Sequence, residues 1–370
     1  MSSELLNALD QIEKEKGISK DILFETIEAA LITAYKKNFS ETAQNIIVNM
    51  DRETGEYEVF ARYIVVEDDD FEDDKIQVIV EEAKKINPIY EVGDFMDEEV
   101  TPSNFGRIAA LTAKQVVVQR IREAERNLIF EEFSNRESEI VNGTVQRISK
   151  GVVHINLGRT EAILLPSEQM STDRYDQGGR IKSFILEVKN TTKGPQVLVS
   201  RTHPGFIRRL FELEVPEIRD GIVEIRGISR EAGSRTKLAV FSVNDDIDPV
   251  GSCVGTKGTR VQNIVDELND EKIDIIEWSD DPVEYIANAL RPSKVEKVLY
   301  SDDEKAALVV VPDYQLSLAI GKEGQNVRLA AKLTGWKIDI KSETQFKEAV
   351  SSGEIDLGDE FDLDAEFDFQ

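Results

Sequence analysis

Two short glycine-bracketed segments carry the clearest chemical signal in this 370-residue chain. Gly255-Thr256-Lys257-Gly258 and Gly321-Lys322-Glu323-Gly324 each follow an apolar residue, Val254 or Ile320, and each precedes an amphipathic stretch. Paired glycines remove side-chain bulk so that backbone can approach a phosphate, and a helix starting behind them offers unpaired N–H groups and its positive end. One such pair alone usually marks an ordinary helix entry or turn. Here the segment Val254–Gln262 repeats at Ile320–Arg328, an offset of 66 residues, and repetition selects the binding reading. The first copy assigns phosphate contacts to Gly255, Thr256, Lys257, Gly258 and Arg260. The second assigns them to Gly321, Lys322, Gly324, Asn326 and Arg328. Val254 and Ile320 set an apolar strip beside each loop, and Glu323 repels phosphate unless it points outward.

Catalytic readings find less support. Only His154 and His203 are present, with a single cysteine, Cys253. Neither a histidine-rich metal site nor a Ser-His-Asp set can be assembled from these, and no G-x-x-x-x-G-K-[ST] loop occurs. Cys253, beside a glycine loop, packs rather than attacks. The acidic run Glu67–Asp74 reads as a solvated loop, not a two-metal centre. The expectation is therefore no catalytic residue, no metal and no cofactor.

Composition sets the frame for these segments. Forty per cent hydrophobic and 32% charged residues over this length predict two to four folded domains. The net charge of −27 looks hostile to nucleic acid, but it is uneven. Residues 136–201 carry 7 acids and 10 bases, whereas 1–135 carry 30 and 15 and 342–370 carry 10 and 1. The excess acid sits at the two ends and leaves a middle able to present basic faces. One cysteine, no signal-peptide pattern and no apolar run near the ~20 residues of a bilayer span predict a cytoplasmic protein without membrane contact.

The positioning elements follow from periodicity. Leu5, Leu9 and Ile12 share a helical face that stops at Gly17. Ser19 then caps a second helix carrying Leu23, Ile27, Leu31 and Ala34. Asn45–Asn49 and Glu56–Val66 form a hairpin, with a third strand over Lys75–Val80. Val117, Ile121, Ala124 and Leu128 mark a long amphipathic helix ending near Phe133. From Glu139 to Arg201, five short alternating strands predict a small OB-type β-barrel. The tail from Ser342 to Gln370 alternates acids with Leu357, Phe361, Leu363, Phe367 and Phe369 and is expected to be disordered when alone.

In the barrel, Gly143-Thr144-Val145, Val152–Gly158, Glu161–Glu168 and Leu198–Arg201 resemble an S1 RNA-binding domain. The two glycine loops, each with a strand pair upstream and a helix and strand downstream, resemble tandem KH domains of the bacterial, helix-first order (type II). KH domains clamp about four nucleotides of single-stranded RNA. S1 platforms use exposed aromatics for stacking. This barrel offers only Phe184, Tyr175 and His154, and places Val153 and Ala162 where such aromatics commonly stand. His154 reads better as a satisfied strand histidine. The barrel is thus expected to assist through Arg147, Lys150, Arg159, Arg180 and Lys182.

The domain order is similar to that of the NusA family of transcription factors over roughly residues 1–341. Phe24–Tyr35, Asn104–Gln119, Gly158–Ala162, Leu198–Gly205 and Phe211–Ile218 carry the likeness. The resemblance implies a multidomain α+β chain in five segments. These are an RNA-polymerase-binding domain with linker helix (1–135), an S1 domain (136–201), KH domains at 202–279 and 280–341, and the acidic tail (342–370). It further implies a monomer that binds RNA polymerase and nascent single-stranded RNA, joins other elongation and antitermination factors, and modulates pausing, intrinsic termination and antitermination without catalysis. Some relatives carry further acidic repeat domains where this chain has only its tail. Two other classes remain open: S1 and KH domains also accompany RNA-degrading enzymes such as polynucleotide phosphorylase, and a general RNA chaperone would need no polymerase contact.

Overall fold

The computed structural model describes residues 2–39, 45–192 and 194–352. The chain divides into two compact units, Met1–Glu131 and Glu132–Gln370.

In the first unit, α1 (Ser2–Lys16) and α2 (Lys20–Asn38) precede a four-stranded sheet. Its β1 (Ile46–Met50) and β2 (Tyr57–Val66) form the expected hairpin, Ile46 opposite Ala61 and Met50 opposite Tyr57. β3 (Gln77–Ile79) lies parallel to β2, followed by α3 (Val80–Ile86). β4 (Phe95–Glu99) pairs antiparallel with β2. The long α4 (Phe105–Ser134) ends within a residue of the expected stop. Leu9, Leu23, Ile27 and Leu31 pack with Val59, Ala61, Phe105 and Ala109 into one core. That burial follows from helical faces and alternating strands each hiding one side. Ser19 does precede α2, but its side chain makes no capping hydrogen bond. Leu128, placed on the apolar stripe, is 53% exposed.

The second unit begins with β5 (Ile140–Ser149), β6 (Val152–Asn156), β7 (Glu161–Leu164), β8 (Arg180–Thr191) and β9 (Gly194–Ser200). They close into a barrel in the order β5-β6-β7-β9-β8, matching the five expected strands. Next come α5 (Pro204–Glu214), α6 (Pro216–Arg219), β10 (Val223–Glu231), β11 (Arg235–Ser242), α7 (Pro249–Val254), α8 (Thr259–Glu267) and β12 (Lys272–Glu277). The pattern recurs as α9 (Pro282–Ala289), β13 (Lys297–Ser301), β14 (Ala306–Val311), α10 (Leu316–Ile320), α11 (Gln325–Thr334) and β15 (Lys337–Ser342). In each repeat two antiparallel strands take a third in parallel, β12 on β11 and β15 on β14, giving the helix-first KH arrangement.

The expectation of disorder from Ser342 onward needs correction. α12 (Glu343–Ser351) is a helix with Phe346 and Ala349 buried. Ser342 and Gln345 form a reciprocal capping box at its start, which satisfies two otherwise orphan N–H donors. The remainder of the tail, 353–370, lies outside the described residues. Among the described residues no helix is long and apolar enough to cross a membrane.

Candidate nucleic-acid interface

Both glycine loops have nearly the same backbone. Gly255 sits at φ 73°, ψ 175° and Gly321 at 77°, 170°, a region open essentially to glycine alone. Lys257 and Glu323 follow at φ 54° and 53°, then Gly258 and Gly324 at 77° and 73°. A Cβ on Gly255 would lie 2.7 Å from Arg260 Cγ, and one on Gly321 2.8 Å from the backbone nitrogen of Asn326. The first glycine of each loop is therefore demanded twice, by conformation and by space. α8 and α11 start directly behind the second glycine, so their first-turn N–H groups and positive dipole ends lie at the loop.

The side chains proposed as phosphate contacts separate into two groups. Lys257 and Lys322 are exposed and have no ion pair among the described residues; Thr256 is exposed too. Val254 is half-buried and Ile320 is 36% exposed, consistent with an apolar strip beside the loop. Arg260, in contrast, turns inward: it donates to Ser252 O at 2.6 Å and to Glu217 Oε2 at 2.9 Å. Asn326 is 2% exposed and donates its amide to Leu290 O and Ala319 O, each at 3.0 Å. Arg260 ties α8 to α6 and α7, and Asn326 ties α11 to α10 and the residue that ends α9; both side chains, expected as phosphate contacts, are instead engaged in positioning the helices behind the loops. Arg328 bridges the two repeats, donating to Glu231 Oε1 at 2.7 Å and to Glu323 O at 3.1 Å. Gln325 joins it, donating to Glu231 Oε2 and Ser234 Oγ at 2.8 Å. Arg328 and Gln325 hold the Glu231 carboxyl below the usual carboxylate range.

The barrel cations also divide. Arg147 donates to Glu161 at 2.7 and 3.1 Å, and the His154 ring lies 2.6 Å from the same carboxylate. His154 is therefore the satisfied strand histidine expected. Despite partial burial, His154 and Arg147 hold the Glu161 carboxyl low. Arg159 pairs with Glu132 at 3.1 Å and Lys182 with Glu267 at 3.0 Å. Lys150, at the β5–β6 turn with φ 51°, and Arg180 on β8 are exposed and unpaired among the described residues. Val153 and Ala162, aligned with exposed platform positions, are 1% and 0% exposed. The register turns His154 and Glu161 outward instead, because neighbours along a strand alternate faces. Phe184 is buried and stacks on His203 with ring centroids 4.9 Å apart. Tyr175 donates its hydroxyl to Asp173 at 3.0 Å, and burial pushes that hydroxyl upward in pKa. None of the three named aromatics is an open stacking surface. Cys253 is fully buried, with burial pushing its thiol up to about 12.

A set of buried charges escaped the sequence reading. Arg201, 2% exposed, pairs with Asp173 and donates to Lys182 O at 2.7 Å, Glu267 Oε1 at 3.2 Å and Glu267 O at 2.9 Å. Arg230 makes a bidentate pair with Glu271 at 2.8 and 2.8 Å and donates to Arg201 O at 2.8 Å. Glu271, itself 0% exposed, also accepts from Thr236 Oγ1 at 2.6 Å and Gly233 N at 2.8 Å. These groups weld the barrel to the first KH repeat. The adjoining Ser200-Arg201-Thr202-His203-Pro204 phrase is thus structural: Ser200 Oγ accepts from Thr202 N and His203 N, and His203 Nδ1 accepts from Gly205 N to cap α5.

Comparison with known proteins agrees with this architecture. The sequence profile of the NusA N-terminal domain matches residues 4–127. Those of the NusA-like first and second KH domains match 201–278 and 282–348, the latter reaching into α12. The chain is 60% identical over 348 residues to the transcription termination/antitermination protein NusA of Bacillus subtilis (strain 168), covering 94% of this chain and 93% of that one. The protein of the same name from Halalkalibacterium halodurans is 58% identical, over 94% and 90%. That from Rickettsia prowazekii (strain Madrid E) is 42% identical, over 92% and 68%. With three matching domain profiles in this order and relatives aligned over nearly its whole length, the chain belongs to the NusA family.

Proposed function

We propose that this protein is a cytoplasmic, monomeric and non-catalytic elongation factor that binds RNA polymerase through its first unit and nascent single-stranded RNA through its KH loops. In that role it modulates pausing, intrinsic termination and antitermination, alone or beside other elongation factors. The observation that carries the reading is the pair of matched glycine loops, each with a lysine, Lys257 or Lys322, that is unpaired among the described residues and stands beside a helix N-terminus. Thr256 and the loop backbones complete the contact. Lys150, Arg180 and the partly engaged Arg147, Arg159, Lys182 and Arg328 supply long-range attraction to the RNA backbone. Such a protein works by positioning RNA near polymerase, with no bond made or broken.

The direct test is the lifetime of a hairpin-stabilised pause in single-round transcription by cognate polymerase. The wild type lengthens the pause, and Lys257→Asp with Lys322→Asp weakens the effect. No wild-type effect would refute the polymerase role and favour a general RNA binder. Retention of polymerase on the protein after nuclease treatment separates the same two readings.

A further inference from the structure

Among the barrel cations, Lys150 and Arg180 have no ion pair among the described residues, and Arg180 is the one of the two that lines a cleft. Arg147 is tied into the His154–Glu161 cluster that occupies the outer face of β6 and β7, and Arg159 and Lys182 have carboxylate partners. The strand register sets Arg180 opposite Thr144, and Thr144 opposite Asn156, in one row across three strands. Asn142 and Lys182 form a parallel row two residues along. Val141, Val145 and Ile155 fill the barrel core, so these rows face outward.

They floor a cleft of about 680 Å³, whose opposite wall is Glu267, the last residue of α8 in the first KH repeat. A second hollow of about 300 Å³ shares Arg180 and Glu267 and continues along the seam past Arg174. Glu267 brings little free negative charge, because Lys182 and Arg201 both engage its carboxylate. A guanidinium unpaired among the described residues thus stands beside two amides and a hydroxyl in a hollow of nucleotide size. Guanidinium forks suit phosphate oxygens, and amide and hydroxyl groups suit base edges. Asn156 Oδ1 already accepts from Gly158 N at 2.7 Å, which leaves its NH₂ as the donor.

We propose that this seam is a nucleotide subsite, where Arg180 takes a phosphate of single-stranded RNA and Asn142, Thr144 and Asn156 take the edge of the adjoining base. The inference rests on the KH loops being RNA sites and extends them. α8 begins at the first loop and ends at the cleft, and its nine residues span about 13 Å. A strand held by the loop reaches the seam with a few further nucleotides. The barrel then contributes through its junction with the KH repeat, while its β6–β7 face is closed by its own ion cluster.

The test uses the full chain and two RNAs at fixed low salt: one just long enough for the two KH loops, and the same RNA extended at either end by about four nucleotides, the span of one KH clamp. Fluorescence anisotropy should show the wild type gaining about tenfold or more in affinity from extension at one end, the worth of one charge-assisted contact. Arg180→Glu should bring the ratio of the two affinities to about one, and Asn142→Ala should reduce it. Since Arg180 is an exposed surface residue, the variant's fold can be checked by its unfolding temperature. A wild type that binds the short RNA but gains nothing from extension, or an Arg180→Glu protein that keeps the gain, overturns the cleft alone. A wild type that fails to bind the short RNA overturns the loops and the cleft with them.

Discussion

The two KH repeats share a loop backbone to within a few degrees but hold and charge it differently. At the loop tip, Lys257 in the first repeat corresponds to Glu323 in the second, and the lysine moves to the preceding position, Lys322. Behind the loop, Arg260 reaches a carbonyl and a half-exposed glutamate, whereas Asn326 reaches two carbonyls in full burial. The attachments differ as well. The first repeat joins the barrel through buried Arg201 and Arg230, and the second joins the first partly through Arg328, which is 46% exposed. Loop shape thus depends on the first glycine and one inward side chain, while charge at the tip is free to vary.

The comparison is sharpest where burial is deepest. Glu271→Ala leaves Arg230 buried without its partner and should destabilise the second unit by about 3–5 kcal/mol in denaturant titration. Glu231→Ala, which frees the exposed Arg328, should leave the unfolding temperature almost unmoved. Equal losses would erase the distinction between the two junctions. Next, Asn326→Ala strips the partner from two buried carbonyls and should cost about 1–3 kcal/mol. Arg260→Ala should cost less, since solvent can replace part of what Arg260 supplies, and hydrogen exchange of α8 against α11 would report both.

Exchange of tip charges has a smaller effect and acts on RNA rather than on folding. Lys257→Glu should weaken RNA binding about tenfold at low salt and Glu323→Lys should strengthen it about threefold, each shifting the salt slope by about one. If both changes act alike, the tips do not meet phosphate. The smallest effect concerns pH. Partial desolvation, reinforced by the neighbouring Glu343 carboxylate, pushes Glu296 up to about 7 although the residue keeps an exposed surface. Because that folded value lies above the ordinary one of 4.5, the folded state holds the extra proton between them. Its stabilising contribution is present below about 4.5 and lost as pH rises through about 7. α12 should therefore be less protected at about pH 8 than at about pH 6, once the base-catalysed rise in intrinsic amide exchange is divided out, and Glu296→Gln should remove that difference in protection.

The glycine repeat, the five barrel strands and the long helix were legible because each depends on local spacing. Which cations remain free was not, because their partners lie far along the chain: Arg260 meets Glu217, Arg230 meets Glu271 and Arg328 meets Glu231. A basic residue in sequence carries no mark of the acid that will neutralise it after folding. β4, Phe-Met-Asp-Glu-Glu, lacks β-branched residues and is held by pairing with β2. α12 was a different case. Its Ser342-x-x-Gln345 signature stood in the sequence, but the acidic composition that follows hid a capped helix.

Lys237 is fully buried in β11 and donates to Arg291 O at 2.9 Å, while Gln325 and Arg328 clasp the turn after β10 from the second repeat. These ties fix the separation of the two loops by folding rather than by a slack tether. On the proposed RNA role, a transcript taken by the first loop meets the second at an effective concentration set by geometry, so that two grips multiply into one hold. On that same reading the hold favours RNA whose unpaired stretches are spaced to match the fixed separation of the loops.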